Sequence, residues 1–247
     1  MRFEGTAIPS YIPAVLLLEP ESVKILPAYT VAEAARYVGV SPSTLQRWFR
    51  GKSASSTAKG GFRKSAVKPV LPTDAGPREP LSFIDLIEAH VLLSIRKAYN
   101  FPMRKIRTAM DYLAESQGNL ICLAHKDFYH DNRELYLGHD QSLLSLSERG
   151  QLVDKTIMEN GLHQIRYGKD GYADEFFPKM GDYNQESFVV NPNINYGRIS
   201  LARIGVGADA LARRYQAHEK IESIAEDYGA TSEEIVEAIR WHDRLAA

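Results

Sequence analysis

With 247 residues, 44% hydrophobic and 25% charged side chains and a net charge of −1, the chain has the composition of a globular protein long enough for two or three small domains. The longest apolar runs, Ala14 to Leu18 and Leu120 to Ala124, fall far short of the ~20 residues of a membrane span, and the first residues, Met-Arg-Phe-Glu-Gly, do not read as a signal peptide. The lone cysteine, Cys122, excludes an internal disulfide and reads as a buried strand residue, so a cytoplasmic protein with no membrane contact is expected.

Residues 1–28 form an arm whose apolar run from Ile12 to Leu18 carries no assignment. Two short helices follow. Thr30 caps the first, and Glu33 completes a capping box. Val31, Ala34, Ala35 and Val38 lie on one apolar face, and Gly39 ends the helix in the left-handed conformation. Ser41 caps the second helix and Pro42 occupies its first turn. Leu45, Trp48 and Phe49 then point inward. Ser43, Gln46, Arg47 and Arg50 lie on the opposite face, with Thr44 at its flank. These are the side-chain types that read base edges: Arg suits guanine, Gln suits adenine, and Ser and Thr reach bases or phosphates.

The helix pair runs into a stretch without acids. Between Glu33 and Asp74 stand Arg36, Arg47, Arg50, Lys52, Lys59, Arg63, Lys64 and Lys68, which leaves the rest of the chain at −9. Such segregation is the electrostatic footprint of a polyanion partner. The Gly- and Ser-rich residues 51–64 read as a loop. Val67 to Leu71 and Leu81 to Phe83 are β-prone runs on either side of a Pro-Thr-Asp-Ala-Gly-Pro turn. Together these are expected to make a small β wing, with Lys52, Lys59, Arg63, Lys64 and Lys68 along the phosphate backbone. Ser82 with Asp85 opens a helix from Ile84 to about Tyr99, with Leu86, Ile87, Val91, Leu92 and Ile95 inward. Pro102 starts another, with Ile106, Met110 and Leu113 inward.

The segments Tyr-Thr-Val-Ala-Glu-Ala-Ala at 29–35, Ser-Pro-Ser-Thr-Leu-Gln-Arg-Trp at 41–48 and Leu-Ser-Phe-Ile-Asp-Leu-Ile-Glu-Ala-His-Val-Leu at 81–92 resemble the DNA-binding head of the MerR-like winged-helix families. The head is assigned to residues 29–118.

From Asn119 the periodicity changes. Leu120 to Leu123, Glu134 to Leu137, Leu162 to Tyr167 and Tyr172 to Phe177 read as short strands, with a helix at about Ser147 to Glu159. A small α+β layer is therefore expected over 119–183, serving as a spacer or dimer-forming layer. His125, His130, Asp131, His139 and Asp140 cluster there. Their spacing fits no helical metal site, and no nucleotide-binding or nucleophile motif occurs anywhere. The expectation is a chain that is not an enzyme and has no metal site and no cofactor. An enzyme using the 125–140 histidines is the reading from another class.

Residues 184–247 are assigned to a helical interaction domain. A strand from Phe188 and a turn precede three helices, at about Ala208–Tyr215, Ile221–Tyr228 and Ser232–Trp241. Gly229 stops the second, and Thr231 with Glu234 caps the third. Ile221, Ile224 and Ala225 face Ile235, Ala238 and Ile239. Residues 219–243 hold eight acids and two bases, so this second helix pair is read as protein-binding rather than DNA-binding. The runs Val190-Asn-Pro-Asn-Ile, Tyr196-Gly-Arg, Arg203-Ile and Ile221-Glu-Ser-Ile-Ala-Glu-Asp-Tyr-Gly-Ala-Thr-Ser-Glu-Glu-Ile resemble a small helical domain of unknown activity found in many bacterial antitoxin-like proteins. Where that family carries Gly-Thr-Arg-Ile-Pro, this chain has Leu201-Ala-Arg-Ile-Gly.

In this order, over residues 29–243, the two matches are similar to the large VapB-class antitoxins. The expected fold is mainly α with an α+β middle: a winged helix-turn-helix head, a small α/β layer and a C-terminal three-helix module. The resemblance implies a dimeric repressor that binds its operator DNA and neutralises a PIN-like ribonuclease toxin. A MerR-like transcriptional regulator without a toxin partner is the alternative.

Overall fold

The computed structural model describes residues 22–52, 66–71, 73, 75, 76, 78–100, 102–104, 106, 107, 123–126, 162–179 and 186–246. Its elements are α1 (Val31–Val38), α2 (Pro42–Arg50), α3 (Phe83–Tyr99), β1 (Ile165–Tyr167), β2 (Ala173–Phe176), β3 (Phe188–Val189), β4 (Ser200–Leu201), β5 (Val206–Gly207), α4 (Ala208–Gln216), α5 (Ile221–Tyr228) and α6 (Ser232–Ala246). The expected strand at 134–137 and helix at 147–159 lie outside the described residues, as do Cys122, His130, His139, Met110 and Leu113.

The head is built on α3. Ser82 and Asp85 cap it reciprocally: Asp85 N–H donates to Ser82 Oγ at 3.1 Å, and Ser82 N–H to Asp85 Oδ2 at 2.8 Å. Leu86, Ile87, Val91, Leu92 and Ile95 are all buried. Helix α1 packs on both α2 and α3. After α3, Met103, Arg104, Ile106 and Arg107 are helical, with Ile106 buried.

The wing departs from the expected pairing. Val67 to Leu71 does not pair with Leu81 to Phe83. Lys52 instead bridges Val67 antiparallel, through hydrogen bonds of 2.8 and 2.9 Å, and Leu81 bridges Tyr29. The reason lies in the end of α2. Val70 and Leu71 N–H both donate to Trp48 C=O, at 2.8 and 3.0 Å, so the returning chain satisfies a carbonyl that the helix leaves open. Gly51 makes that approach possible: its φ is +66°, and a Cβ there would run into Val67 C=O.

Of the expected middle layer, the described residues include the strands at 162–167 and 172–177. β1 and β2 form an antiparallel hairpin with a bulge at Arg166/Tyr167. β1 begins at Ile165 because residues 162–164 turn rather than extend. β3, β4 and β5 form an antiparallel sheet in chain order. Phe176 and Val190 join the two sheets through a pair of backbone hydrogen bonds, at 2.8 and 2.9 Å. Buried Lys24, 6% exposed, ties the start of the described chain to the β1–β2 turn through Asp170 at 2.6 Å and Asp174 at 2.5 Å.

The C-terminal helices match the expected positions, with one extension. α5 ends at Gly229 in the left-handed conformation, φ +59°. Glu234 N–H donates to Thr231 Oγ1 at 3.2 Å and Thr231 N–H to Glu234 Oε2 at 2.8 Å. Ile224, Ala225, Ile235 and Ala238 are buried, with Ile221 and Ile239 packed beside them. α6 runs on past Trp241 to Ala246, because Leu245 packs on the core and its carbonyl accepts a hydrogen bond from Arg36 of α1. Head, hairpin and C-terminal helices share one hydrophobic core.

Candidate nucleic-acid interface

The helix-turn-helix is built from two caps and a glycine. Glu33 N–H donates to Thr30 Oγ1 at 3.2 Å and Thr30 N–H to Glu33 Oε2 at 2.9 Å, which closes the capping box of α1. Gly39, with φ +81°, ends it by donating to Ala35 C=O. Ser41 Oγ accepts from Thr44 N–H at 3.2 Å and starts α2, with Pro42 in the first turn. The second helix turns Leu45, Trp48 and Phe49 into the core, where none exceeds 3% exposure.

Ser43, Gln46 and Arg47 are exposed on the opposite face of α2. Two other predicted contact residues are partly committed to the fold. Thr44 is half-buried, its Oγ1 2.9 Å from Ser41 Oγ in the cap. Arg50 is half-buried and donates from Nη2 to Glu79 C=O at 2.9 Å, which fastens the end of α2 to the turn before Leu81. Lys52 and Lys68 are exposed on either side of the Lys52–Val67 bridge. Lys59, Arg63 and Lys64 lie outside the described residues. The structure thus brings Ser43, Gln46 and Arg47 onto one face, with Lys52 and Lys68 at the base of the loop after α2.

The residues that hold α1 against the rest of the molecule were not anticipated from the sequence. The Tyr29 and Tyr37 rings meet edge to face at 5.9 Å. Tyr29 Oη donates to Gly197 C=O at 2.8 Å, and Tyr37 Oη accepts from Ile199 N–H at 3.3 Å. Burial above all raises both phenols far above the ordinary tyrosine range, outweighing the opposing hydrogen bond from Ile199 N–H at Tyr37, so both hydroxyls stay protonated. Tyr37 also packs on Trp241 at 6.2 Å. Arg36 Nη1 donates to Leu245 C=O at 2.8 Å, and Arg244 Nη2 to Arg36 C=O at 3.2 Å. The only sequence signal for this contact is the pair Tyr29, just before α1, and Tyr37, in its last turn, which is ambiguous with ordinary core packing.

On the C-terminal helices, Glu222, Glu226, Asp227, Glu233 and Asp243 are exposed. Part of the charge is internally matched. Arg214 binds Glu219 and reaches Asp227 at 2.6 Å, and hydrogen bonding from Arg214 holds the Glu219 carboxyl below its usual range. In the loop that departs from Gly-Thr-Arg-Ile-Pro, Arg203 donates to Gly229 C=O at 2.6 Å and pairs with Glu234 at 3.2 Å, while Gly205 takes φ +69°.

Of the histidine cluster, His125 lies edge-on to Tyr172 at 4.6 Å. Among the described residues no group of His, Cys, Asp or Glu is arranged to hold a metal ion, and no helix is long and apolar enough to cross a membrane.

Comparison with known proteins bears on the same regions. Residues 27–110 match the family described as "Putative DNA-binding HTH domain". Over 235 residues the chain is 30% identical to the Mycobacterium tuberculosis protein named "Putative antitoxin VapB45", spanning 90% of this chain and 95% of that one. The crystal structure of Rv2018 from Mycobacterium tuberculosis is similar with a TM-score of 0.61 and 25% identity, over 87% of this chain and 98% of that one.

Proposed function

The chain belongs to the VapB antitoxin family, with a helix-turn-helix DNA-binding domain at its head, and from that premise we propose that it represses its own operon and neutralises a PIN-like ribonuclease toxin. The observation that carries the DNA half is the division of α2. Leu45, Trp48 and Phe49 are buried while Ser43, Gln46 and Arg47 face solvent. On this reading Gln46 and Arg47 enter the major groove and Ser43 and Thr44 sit at its edge. Lys52 and Lys68, with Lys59, Arg63 and Lys64, hold the backbone. Arg50 positions the end of the helix through Glu79. One short helix reads only a few base pairs, so a homodimer on a pseudo-palindromic operator follows.

The toxin half is supported by family membership and by the acids that α5 and α6 turn outward. They suit a basic partner surface. Co-expression with the product of the neighbouring reading frame, with affinity capture and an RNase assay, tests this half. A stable complex that suppresses ribonuclease activity is expected. A chain that binds its upstream DNA but forms no complex would instead be a regulator without a toxin.

A further inference from the structure

We propose that the turn at residues 193–198, which belongs to the C-terminal segment, is a second DNA-contacting element that grips the phosphate backbone beside α1 through Arg198 and Tyr196. The inference rests on the DNA-binding reading and extends it to the C-terminal segment, whose last two helices carry mostly acids.

The turn is built to present side chains outward. Asn195, Tyr196 and Gly197 take consecutive left-handed conformations, with φ of +47°, +55° and +75°. For Tyr that geometry is unfavourable, and it persists only where surrounding structure enforces it. Here the enforcing contacts are Gly197 N–H on Ile194 C=O, Arg198 N–H on Asn195 C=O, and Tyr29 Oη donating to Gly197 C=O. Tyr196 emerges 88% exposed, more than any other large hydrophobic side chain among the described residues. Asn193 and Arg198 are exposed beside it.

The charge of the turn fits a polyanion. Residues 187–208 contain no acid and two bases, Arg198 and Arg203. Arg203 is engaged with Glu234, whereas the Arg198 side chain forms no ion pair with any described residue. Of the acids felt at the neighbouring Tyr37 hydroxyl, Asp209 is paired with Arg213 at 2.6 Å, and Glu33 accepts from Thr30 N–H in the cap of α1.

The position is also right. In a helix-turn-helix the first helix crosses the phosphate backbone. From Ile199 to Gly197 the turn passes from Tyr37, at the C-terminal end of α1, to Tyr29, just before its first residue. The turn therefore lies against that helix. Arg and Tyr are common phosphate-contacting side chains, and such contacts add affinity without reading sequence.

The test uses the full-length chain, a duplex of the region immediately upstream of its own reading frame, and a scrambled duplex of equal length, titrated by fluorescence anisotropy over a salt series. Arg198→Ala is expected to weaken binding to both duplexes by a similar factor, about three- to tenfold, and to lower the salt slope by about one. Arg198→Lys should restore most of both effects. Tyr196→Asn, which keeps a residue tolerant of the left-handed conformation, should weaken both duplexes with no change in salt slope. Unchanged thermal melting of each variant excludes misfolding. If Arg47→Ala weakens upstream binding while Arg198→Ala changes neither affinity nor slope, the turn proposal falls and the DNA-binding reading stands. If Arg198→Ala instead costs only capture of a co-expressed protein, the turn is a protein contact and the proposal is overturned. If the unaltered chain binds neither duplex, both readings fail together.

Discussion

At the scale of single residues, Arg47 and Glu237 carry the sharpest expectations. Arg47 is exposed on a helix whose other face is buried, so its truncation leaves the fold intact. Arg47→Ala is expected to cost ~1–3 kcal/mol of binding to the upstream duplex and to relax preference at one base position, with thermal melting unchanged. Equal affinity of variant and parent across a panel of single-base operator changes would remove Arg47 from the groove. Glu237 of α6 is only 6% exposed. Burial first, and then the charge of Glu234, pushes its carboxyl up to about 7. A carboxyl raised on folding binds its proton more tightly in the folded chain than in the unfolded one. Its contribution is therefore most favourable below the unfolded value near 4.5 and is lost as pH rises through about 7. Glu237→Gln should add about 1–3 kcal/mol to urea-measured stability at pH 8 and flatten the pH dependence between 4.5 and 7. An unaltered pH profile would show that Glu237 is solvated. Outward and inward positions of α2 were legible from helical periodicity alone. The commitment of Arg50 to Glu79 was not, because its partner is a backbone carbonyl 29 residues away that no local pattern announces.

At the scale of elements, local chemistry was readable and partner choice was not. The caps at Thr30, Ser41, Ser82 and Thr231 and the stops at Gly39 and Gly229 all act within a few residues, and each appears where the sequence places it. The wing differs because β-prone runs carry no label for the strand that they pair with. Leu81 was expected beside Val67 to Leu71 and took Tyr29, while Val67 took Lys52. The C-terminal limit of α6 failed similarly: what prolongs the helix is Arg36, far away in sequence, donating to the Leu245 carbonyl. The cap of α2 gives a discriminating test. Ser41→Ala leaves Thr44 N–H without its side-chain acceptor and should lower stability by about 1 kcal/mol, whereas Ser41→Gly should cost only a few tenths. Equal losses for the two variants in denaturant titration would mean that the Ser41 hydroxyl matters through Ser43 and Thr44, which it also touches.

At the scale of the molecule, the question is whether the reading head can stand apart from the C-terminal segment. The proposed partition into a head at 29–118 and an interaction domain at 184–247 rests on motifs, yet α1 is fastened on its outer side by the second segment. Tyr29 and Tyr37 direct their hydroxyls to Gly197 and Ile199, Trp241 covers Tyr37, and Arg36 exchanges backbone contacts with the end of α6. Lys24 adds a tie to the β1–β2 turn. A head expressed as residues 22–118 would expose both tyrosines and leave the buried end of the Lys24 side chain without its two carboxylates. Removing one such buried aromatic contact typically costs several kcal/mol, comparable with the whole stability of a small domain. The fragment is therefore expected to melt well below the full chain and to bind the upstream duplex at least tenfold more weakly, although it keeps every residue of α2. Tyr37→Phe in the full chain separates the causes. It retains the ring on Trp241, deletes only the acceptor for Ile199 N–H, and should cost about 1–3 kcal/mol of stability with little effect on DNA affinity at temperatures where the chain is folded. A fragment as stable and as tight as the parent would establish the head as autonomous. The α1–α6 contact would then be an interface between independent domains, free to open when a partner engages the C-terminal helices.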